Sequence, residues 1–319
     1  MRFNLPVLVY QEKNCVHNHA DEIAQMGKNA LIVTGRNSSK KNGSLDDVIN
    51  ALKSKNIKYT VYDGVEENPS VETVMEAREI GVKAGCDFII GIGGGSPMDA
   101  AKAIGVMIYH KNENKDFLYK SVSNSQSLPV IEVPTTCGTG SEVTTVAVLT
   151  VHNEKTKKSM SHRIFPRMAL VDEKYIKNAP LKVICDTAID ALAHIVESCI
   201  NNNATEYSKM FAKEGLEAWS KFKDVLLGNR EATDEDFHNM MYASTLAGMC
   251  IAHAGTSLPH GLSYPITYEL GIPHGKAVGY FLPGYINEAT DEDKEFVLKA
   301  AGFESVEEFS KFYKKACGY

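Results

Sequence analysis

Residues 87–104 read D-F-I-I-G-I-G-G-G-S-P-M-D-A-A-K-A-I, an apolar run followed by three glycines and a helical pattern. Ser96 is placed to cap the helix, Pro97 stands at the first helical position, where a missing N–H costs nothing, and Asp99 completes a start that resembles a capping box. Glycines before a helix let backbone N–H groups approach a phosphate, whose charge the helix dipole favours. The stretch therefore predicts a pyrophosphate site, although it is not the G-x-G-x-x-G fingerprint. The alternative is a tight turn that needs positive φ angles.

The segments around this stretch alternate between strand-like and helix-like patterns. Short apolar runs predict strands, and longer segments with apolar residues at helical spacing predict helices. The predicted strands are 30–34, 57–62, 87–92, 129–133 and 146–150, and the predicted helices between them are 45–55 and 70–84. Such alternation is typical of a parallel, doubly wound sheet.

Strand patterns disappear after about residue 180, and long helical patterns replace them. These cover residues 181–200, 206–222, 235–253, 291–302 and 306–317. We therefore predict two domains, a dinucleotide-binding α/β domain of residues 1–180 and a helical domain of residues 181–319.

Two further loops of the first half suit a nucleotide. Residues 134–144, P-T-T-C-G-T-G-S-E-V-T, follow a predicted strand with hydroxyls and glycines, although alone they would read as a Thr/Gly turn. Residues 34–43 carry no acid to accept from the ribose 2′-OH of NAD. A 2′-phosphate could instead contact the side chains of Arg36, Ser38, Ser39, Lys40 and Lys41. This composition predicts a preference for NADP(H) over NAD(H), and the alternative is a solvated basic turn.

Residues 186–199, D-T-A-I-D-A-L-A-H-I-V-E-S-C, place an acid and a histidine on one face of a helix. Asp190 and His194 are four residues apart, so their side chains project about one turn from each other. The pair forms either half of a metal site or a helical salt bridge. His260 and His274, each before a glycine in turn-rich surroundings, would complete a four-ligand set. Nitrogen and carboxylate ligands without thiolate suit Fe²⁺ or Zn²⁺.

The composition of the whole chain disfavours several classes of function. The 319 residues are 44 % hydrophobic and 23 % charged, as in a globular protein. A net charge of −6 without a long basic run disfavours nucleic acid and anionic membranes as partners. No apolar run approaches the roughly 20 residues of a transmembrane helix. Seven scattered cysteines, never in C-x-x-C spacing, predict reduced thiols in a cytoplasmic protein.

Four motifs in the same order resemble those of the iron-containing, or group III, alcohol dehydrogenases. They are G-G-G-S-P-M-D-A-A-K, P-T-T-C-G-T-G-S-E-V-T, I-D-A-L-A-H, and H-G-L-S-Y-P followed by I-P-H-G-K-A. The resemblance implies a Rossmann-like α/β domain followed by an all-α metal-binding domain, a dehydroquinate synthase-like architecture. It also implies hydride transfer between NAD(P)H and a small aldehyde or primary alcohol. We expect a homo-oligomer, a dimer, that contacts neither nucleic acid nor membrane.

The resemblance also assigns roles to individual positions. The metal ligands of the family correspond to Asp190, His194, His260 and His274. Its cofactor-binding positions correspond to Gly94, Gly95, Ser96, Asp99, Thr135, Thr136, Thr139 and Lys158, the last near the nicotinamide ribose. Gly35, Ser38 and Ser39 of the first loop join them in the predicted NADP(H) site.

Two departures from the family pattern concern proton transfer and the length of the helical domain. Many members carry a histidine for proton transfer four residues after the third ligand, where this chain has Tyr264. A tyrosine can hold the substrate or relay a proton, so Tyr264 and Asp99 are the candidate catalytic residues. The chain stops sooner after His274 than is usual, which predicts a shortened helical domain, in a short variant or a fragment. Alternative functions are glycerol-dehydrogenase-type polyol oxidation, a sugar-phosphate cyclase, and a truncated non-catalytic nucleotide-binding protein.

Overall fold

The computed structural model describes residues 3–318, and its N-terminal half contains a six-stranded parallel sheet. The strands are β1 (Leu8–Gln11), β2 (Asn29–Gly35), β3 (Lys58–Val65), β4 (Phe88–Gly93), β5 (Val130–Pro134), β6 (Val148–Val151), β7 (Thr156–Ser159) and β8 (Met168–Val171). Six of them form the sheet in the order β1-β8-β5-β4-β2-β3. Strands β6 and β7 pair separately as an antiparallel hairpin.

Helices connect the strands of the sheet and then form the rest of the chain. Those of the first half are α1 (Cys15–Asn18), α2 (Ala20–Ala24), α3 (Ser38–Lys41), α4 (Ser44–Ser54), α5 (Val71–Ala84) and α6 (Gly95–Tyr109). Those of the second half are α7 (Leu181–Ile200), α8 (Glu206–Ser220), α9 (Lys223–Leu226), α10 (Asp234–Ala254), α11 (Leu258–Leu270), α12 (His274–Gly279), α13 (Leu282–Asn287), α14 (Asp291–Ala300) and α15 (Val306–Cys317). No helix among residues 3–318 is long and apolar enough to cross a membrane.

The predicted fold class, a parallel α/β domain followed by a helical domain, is confirmed. Helices α7 and α15 have the predicted bounds. The four-residue strands β1 and β8 were not predicted, and the predicted strand at 146–150 belongs to the β6–β7 hairpin rather than to the sheet. The turn-rich surroundings expected for His260 and His274 are wrong, because His260 lies within α11 and His274 begins α12.

The sheet is buried on both faces, as the interior strand β2 shows. Leu31 and Val33 pack into one hydrophobic cluster, and Ala30 and Ile32 pack into the other. All four are fully buried, which explains why a parallel strand reads as a continuous apolar run rather than as an alternating pattern.

The strand order defines where a ligand would bind to the sheet. The chain passes from β2 to β3 on one side and then returns to β4 on the other side of β2. The direction therefore reverses between β2 and β4, and in open α/β sheets ligands bind at the carboxyl ends of the strands at such a switch point. The Thr34 hydroxyl donates to the Ile92 carbonyl at 2.9 Å and joins the two strand ends. The loops that begin at Gly35 and Gly94 leave the sheet there.

The chain divides into two compact units. One comprises Pro6–Thr135 and Ser141–Tyr175, and the other comprises residues 3–5, Thr136–Gly140 and 176–318. Within the second unit, α7 packs against α8, α10 and α12. Trp219 of α8 is fully buried and donates its indole N–H to the Ala188 carbonyl at 2.7 Å. Helix α7 is therefore the central element of the helical unit.

Candidate metal centre and cofactor loops

Helix α7 carries three ionisable side chains on its buried face. Asp190, His194 and Glu197 follow one another at intervals of four and three residues, which places them on one side of the helix. Their exposed fractions are 3 %, 6 % and 0 %. Two carboxylates buried in this way are costly unless opposite charge or hydrogen bonds compensate them. The compensating groups come from α11 and α12.

Asp190, His260 and His274 bring their ligand atoms within 4.8 Å of one another, and the fourth predicted ligand, His194, lies next to Asp190. Asp190 Oδ1 lies 3.5 Å from His260 Nε2, 3.8 Å from His274 Nε2 and 4.0 Å from His194 Nε2. Four ligand atoms bound tetrahedrally at about 2.1 Å from an ion would be roughly 3.4 Å apart. Asp190 Oδ1 and His260 Nε2 are both buried without a hydrogen-bond partner in the described part of the chain. Orphaned polar atoms that face each other at this distance fit a shared cation.

Each histidine ring is held through its other nitrogen. His194 Nδ1 lies 3.2 Å from the Gly138 carbonyl, and His274 Nδ1 lies 3.4 Å from the Ser263 hydroxyl. His260 Nδ1 bonds to the Glu197 carboxylate. These contacts fix the ring orientation and direct every Nε2 toward Asp190. The sequence reasoning missed Glu197, although its spacing from His194 on the predicted helix was visible.

The electrostatics of the cluster favour positive charge at its centre. Burial alone would lower the pKa of His260, but hydrogen bonds and charges from Asp190 and Glu197 raise it to about 9. Burial alone would raise the pKa of Asp190, but the surrounding histidines hold it below its usual value. Burial lowers the pKa of His194. The residues present therefore fit a divalent cation bound by one carboxylate and three imidazoles.

Tyr264 lies beside this cluster. It is half-buried on α11, and its ring stacks on that of His274 with centroids 5.7 Å apart and planes 19° apart. The candidate proton-transfer residue is thus adjacent to one predicted ligand.

The glycine-rich turn leads directly into α6, and the predicted cap is wrong. Helix α6 begins at Gly95 with Gly94 as its N-cap residue, and among residues 3–318 no side chain caps it. The Ser96 hydroxyl instead accepts a hydrogen bond from the Asn68 backbone N–H at 3.1 Å. Gly93 has φ +151°, and a Cβ there would lie 2.6 Å from Pro97 Cγ. The uncapped N–H groups of the first turn suit a phosphate.

Asp99, a predicted catalytic and cofactor-binding residue, also holds neighbouring segments of the chain together. Its carboxylate accepts from the Ser141 hydroxyl at 2.6 Å and from the Val148 N–H at 2.8 Å, and burial raises its pKa. The fully buried Lys102 donates to the Ser141 and Val146 carbonyls at 2.6 and 2.9 Å. Together, Asp99 and Lys102 fix the end of the P-T-T loop and the residues that follow it up to Val148.

Two other predicted cofactor residues, Ser39 and Lys158, contact side chains of this chain. Ser39 is fully buried, and its hydroxyl lies 2.7 Å from that of Thr34, so it packs the sheet edge instead of meeting a 2′-phosphate. Lys158 pairs with Glu154 at 3.5 Å. The neighbouring Lys157 reaches the Asn68 side chain at 2.7 Å. Because Asn68 also contacts Ser96, Lys157 is the lysine nearer to the glycine-rich turn.

The remaining predicted cofactor residues are at or near the carboxyl ends of the strands. Gly35 ends β2, Ser38 begins α3, and the Thr135 N–H donates to the Gly93 carbonyl at 2.8 Å. That bond ties the P-T-T loop to the glycine-rich turn. Thr136 and Thr139 belong to the five-residue segment that groups with the helical unit.

Glu132 is an unexpected acid in the middle of β5. It is fully buried, and neither carboxylate oxygen has a hydrogen-bond partner within residues 3–318. Burial raises its pKa to about 8; the charges of Asp99 and Glu142 act in the same direction, and that of Lys102 opposes them. Burial therefore favours the protonated form of Glu132 in the folded protein.

Replacing this acid, Glu132→Gln, is expected to remove a pH dependence of stability. The folded-state pKa of about 8 lies above the ordinary value of 4.5, so between these pH values the folded protein holds a proton that the unfolded chain has lost. The free energy of unfolding then falls by up to about 1.4 kcal/mol per pH unit. Urea denaturation at pH 5, 7 and 9 should show E132Q gaining stability over the wild type as pH rises. The exposed Glu231→Gln is the control, and parallel curves for E132Q and wild type would contradict the assignment.

Comparisons with known proteins agree with both halves of this structure. Residues 6–173 match the family described as "Iron-containing alcohol dehydrogenase", and residues 184–305 match "Fe-containing alcohol dehydrogenase family, C-terminal". An NADPH-dependent butanol dehydrogenase of Clostridium saccharobutylicum is 31 % identical over 322 residues, which cover 99 % of this chain and 78 % of the relative.

Solved structures are similar over nearly the whole chain. An iron-containing alcohol dehydrogenase from Thermotoga maritima superposes with a TM-score of 0.91 at 39 % identity, covering 98 % of this chain and 87 % of that one. A sulfoacetaldehyde reductase from Bifidobacterium kashiwanohense, solved in complex with NAD⁺, superposes with a TM-score of 0.87 at 25 % identity, covering 99 % and 86 %.

One chain thus combines a doubly wound sheet, with a glycine-rich turn at its switch point, and a cluster of one aspartate and three histidines. The chain belongs to the iron-containing alcohol dehydrogenase family. The prediction of an alcohol dehydrogenase that also acts as an aldehyde reductase is confirmed.

Proposed function

We propose that the protein reduces small aldehydes to primary alcohols, and catalyses the reverse oxidation, with NADPH as the hydride donor. The ion would be Fe²⁺ or Zn²⁺, held by Asp190, His194, His260 and His274. The observation that carries the proposal is the grouping of these four side chains, three of them buried, around Asp190 Oδ1, with two orphaned ligand atoms among them. A bound divalent ion supplies Lewis acidity that polarises a carbonyl oxygen.

Other residues of the chain would then hold the ligands in place. Gly138, Glu197 and Ser263 fix the three imidazoles, so that the ligands need not reorganise during the reaction. Reduction of an aldehyde consumes one hydride and one proton. Tyr264, stacked beside His274, is placed to hold the substrate or to relay that proton through water.

The cofactor is assigned to the carboxyl edge of the sheet. The pyrophosphate would rest on Gly94, Gly95 and the N-terminus of α6, where the helix dipole favours negative charge. Arg36 and Lys41, at the exit of β2, are available to a 2′-phosphate, whereas Lys40 already pairs with Asp63 at 2.5 Å. A relative named NADPH-dependent supports this choice, while a more distant neighbour was solved with NAD⁺.

We also infer the cellular location and the oligomeric state of the enzyme. All seven cysteines are free and six are buried, which supports a reducing, cytoplasmic location. A homodimer remains the expected assembly, and the molar mass measured by light scattering would test it.

The test combines metal analysis with turnover. The purified full chain should contain about one Fe²⁺ or Zn²⁺ per chain and should oxidise NADPH in the presence of acetaldehyde, propanal or butanal. Arg36→Ala should lower the NADPH-to-NADH ratio of kcat/KM at least about tenfold, since a charge-assisted hydrogen bond contributes roughly 1.5–3 kcal/mol. Metal-loaded protein that reduces none of these aldehydes with either cofactor would overturn the proposal.

A further inference from the structure

The three imidazoles of the metal centre are held by three chemically different groups. A backbone carbonyl holds His194 and a hydroxyl lies near His274, each at more than 3 Å, whereas a carboxylate bonds to His260. Among these groups the Glu197 carboxylate is the one that carries a charge. It is also completely buried. A charged group in this position does more than orient a ring, because a carboxylate makes the imidazole it contacts a stronger electron donor.

Glu197 also reaches the segment that precedes α11. One of its oxygens, Oε1, accepts from His260 Nδ1, and the other, Oε2, accepts from the Ser257 N–H and lies 3.2 Å from the Ser257 hydroxyl. The Ser257 hydroxyl in turn lies 2.8 Å from that of Tyr285 on α13. The single carboxylate therefore connects α7 to both the start of α11 and the ligand on α11.

The charges of the buried cluster balance only if Glu197 is counted. A divalent ion bound by Asp190 and three neutral imidazoles would leave one net positive charge, which the Glu197 carboxylate would neutralise. A neutral cluster is the least costly arrangement for charges removed from water.

We propose that Glu197 is the positioning residue of the metal centre, which fixes His260 and the start of α11 and completes the charge balance of the bound ion. The inference rests on the proposed metal site but not on the proposed substrate or cofactor. The three residues on this face of α7 then have two roles. Asp190 and His194 bind the ion, and Glu197 holds the ligand His260.

The amide of Glu197→Gln cannot satisfy both contacts. Its oxygen can accept from only one side, so either His260 Nδ1–H or the Ser257 N–H then faces an NH₂ group. The charge is lost as well. We therefore expect a 10- to 100-fold weaker metal affinity, roughly the usual effect of removing such a partner.

The experiment measures Zn²⁺ affinity of the full chain by competition with a chromogenic chelator, and records the absorption spectrum of the Co²⁺-loaded protein. E197Q should bind Zn²⁺ 10- to 100-fold more weakly and show an altered Co²⁺ spectrum, roughly as loss of a partner that fixes a ligand predicts. Glu197→Asp keeps the charge and should recover part of the affinity. Glu217→Gln, which replaces an exposed acid of α8 that lies 4.0 Å from Lys213 Nζ, should change the affinity by less than about threefold.

Each result decides the inference. Folded E197Q with wild-type Zn²⁺ affinity and an unchanged Co²⁺ spectrum would overturn it. If E197Q does not fold, Glu197→Asp decides, because a shorter side chain with undiminished affinity would contradict a role in positioning. Wild-type protein that binds neither ion would overturn both this inference and the metal centre. Metal binding without aldehyde reduction would overturn the proposed function alone.

Discussion

His260→Ala is expected to lose stoichiometric metal and at least about 10³-fold in kcat/KM, because Lewis-acid stabilisation of the developing alkoxide is worth several kcal/mol and each 1.4 kcal/mol is tenfold. The substitution removes a ligand whose Nε2 lies 3.5 Å from Asp190 Oδ1. It also leaves Glu197, which is fully buried, without the ring that it contacts. The variant would keep three ligands and one unpaired buried carboxylate, which bind the ion poorly. We therefore expect the variant to lose metal while it still folds.

The measurements are metal content by mass spectrometry and NADPH affinity by fluorescence titration. NADPH affinity should remain within about threefold of wild type, because the glycine-rich turn belongs to the other compact unit. His253→Ala is the matched control: this histidine of α10 contacts the Met249 carbonyl at 2.7 Å and stacks on Phe3, away from the cluster. Normal metal content and turnover in His260→Ala would disprove the assignment of this ligand.

The sequence predicted the elements whose pattern is local. Helix α7 has the expected bounds because its apolar residues recur at helical spacing without interruption, and the buried strand β4 follows from its continuous apolar run. Strands β1 and β8 contain four residues each, too few to show a period. They become strands because they pair with each other and β8 also pairs with β5, which is information that no local window contains.

The sequence identified the candidate metal ligands but not the residues that contact them. The spacing of Asp190 and His194 identifies a shared face, and the family motifs supply His260 and His274. The Ser96 cap was wrong because a glycine can serve as the N-cap residue, which leaves the serine inside the first turn. Glu197 lay on the predicted face, yet nothing local shows that a residue 63 positions away would meet it.

Glycine and proline signals misled the prediction around the last two ligands. His260 and His274 each precede a glycine, and Pro265 follows His260 closely, so both segments resemble turns in the sequence. In the structure both glycines are helical, and Pro265 is accommodated within α11. The two glycines nevertheless differ completely in their surroundings. A Cβ on Gly261 would have nothing within 4 Å among residues 3–318, whereas a Cβ on Gly275 would lie 1.8 Å from the Asp186 carbonyl oxygen.

Gly275→Ala is therefore expected to separate α12 from α7 and to dismantle the metal centre. The obstructing atom belongs to the backbone of α7, so no side-chain rotation relieves the clash, and the same Cβ would also lie 3.1 Å from Asp190 Cβ. Moving α12 carries His274 away from Asp190. Overpacking costs about 1–3 kcal/mol or more, and a displacement of about 1 Å at a catalytic site can cost 10²-fold.

Gly261→Ala is the matched control, since it also replaces the glycine after a histidine ligand. It should keep metal content and kcat and gain up to about 1 kcal/mol, because alanine is favoured over glycine within a helix. Urea denaturation, metal analysis and aldehyde reduction should separate the two variants, with Gly275→Ala losing stability, metal and at least about 10²-fold in kcat. Equal behaviour of the two would mean that the approach of α12 to α7 does not hold His274 in place, and that the fourth ligand must be positioned by the Ser263 contact instead.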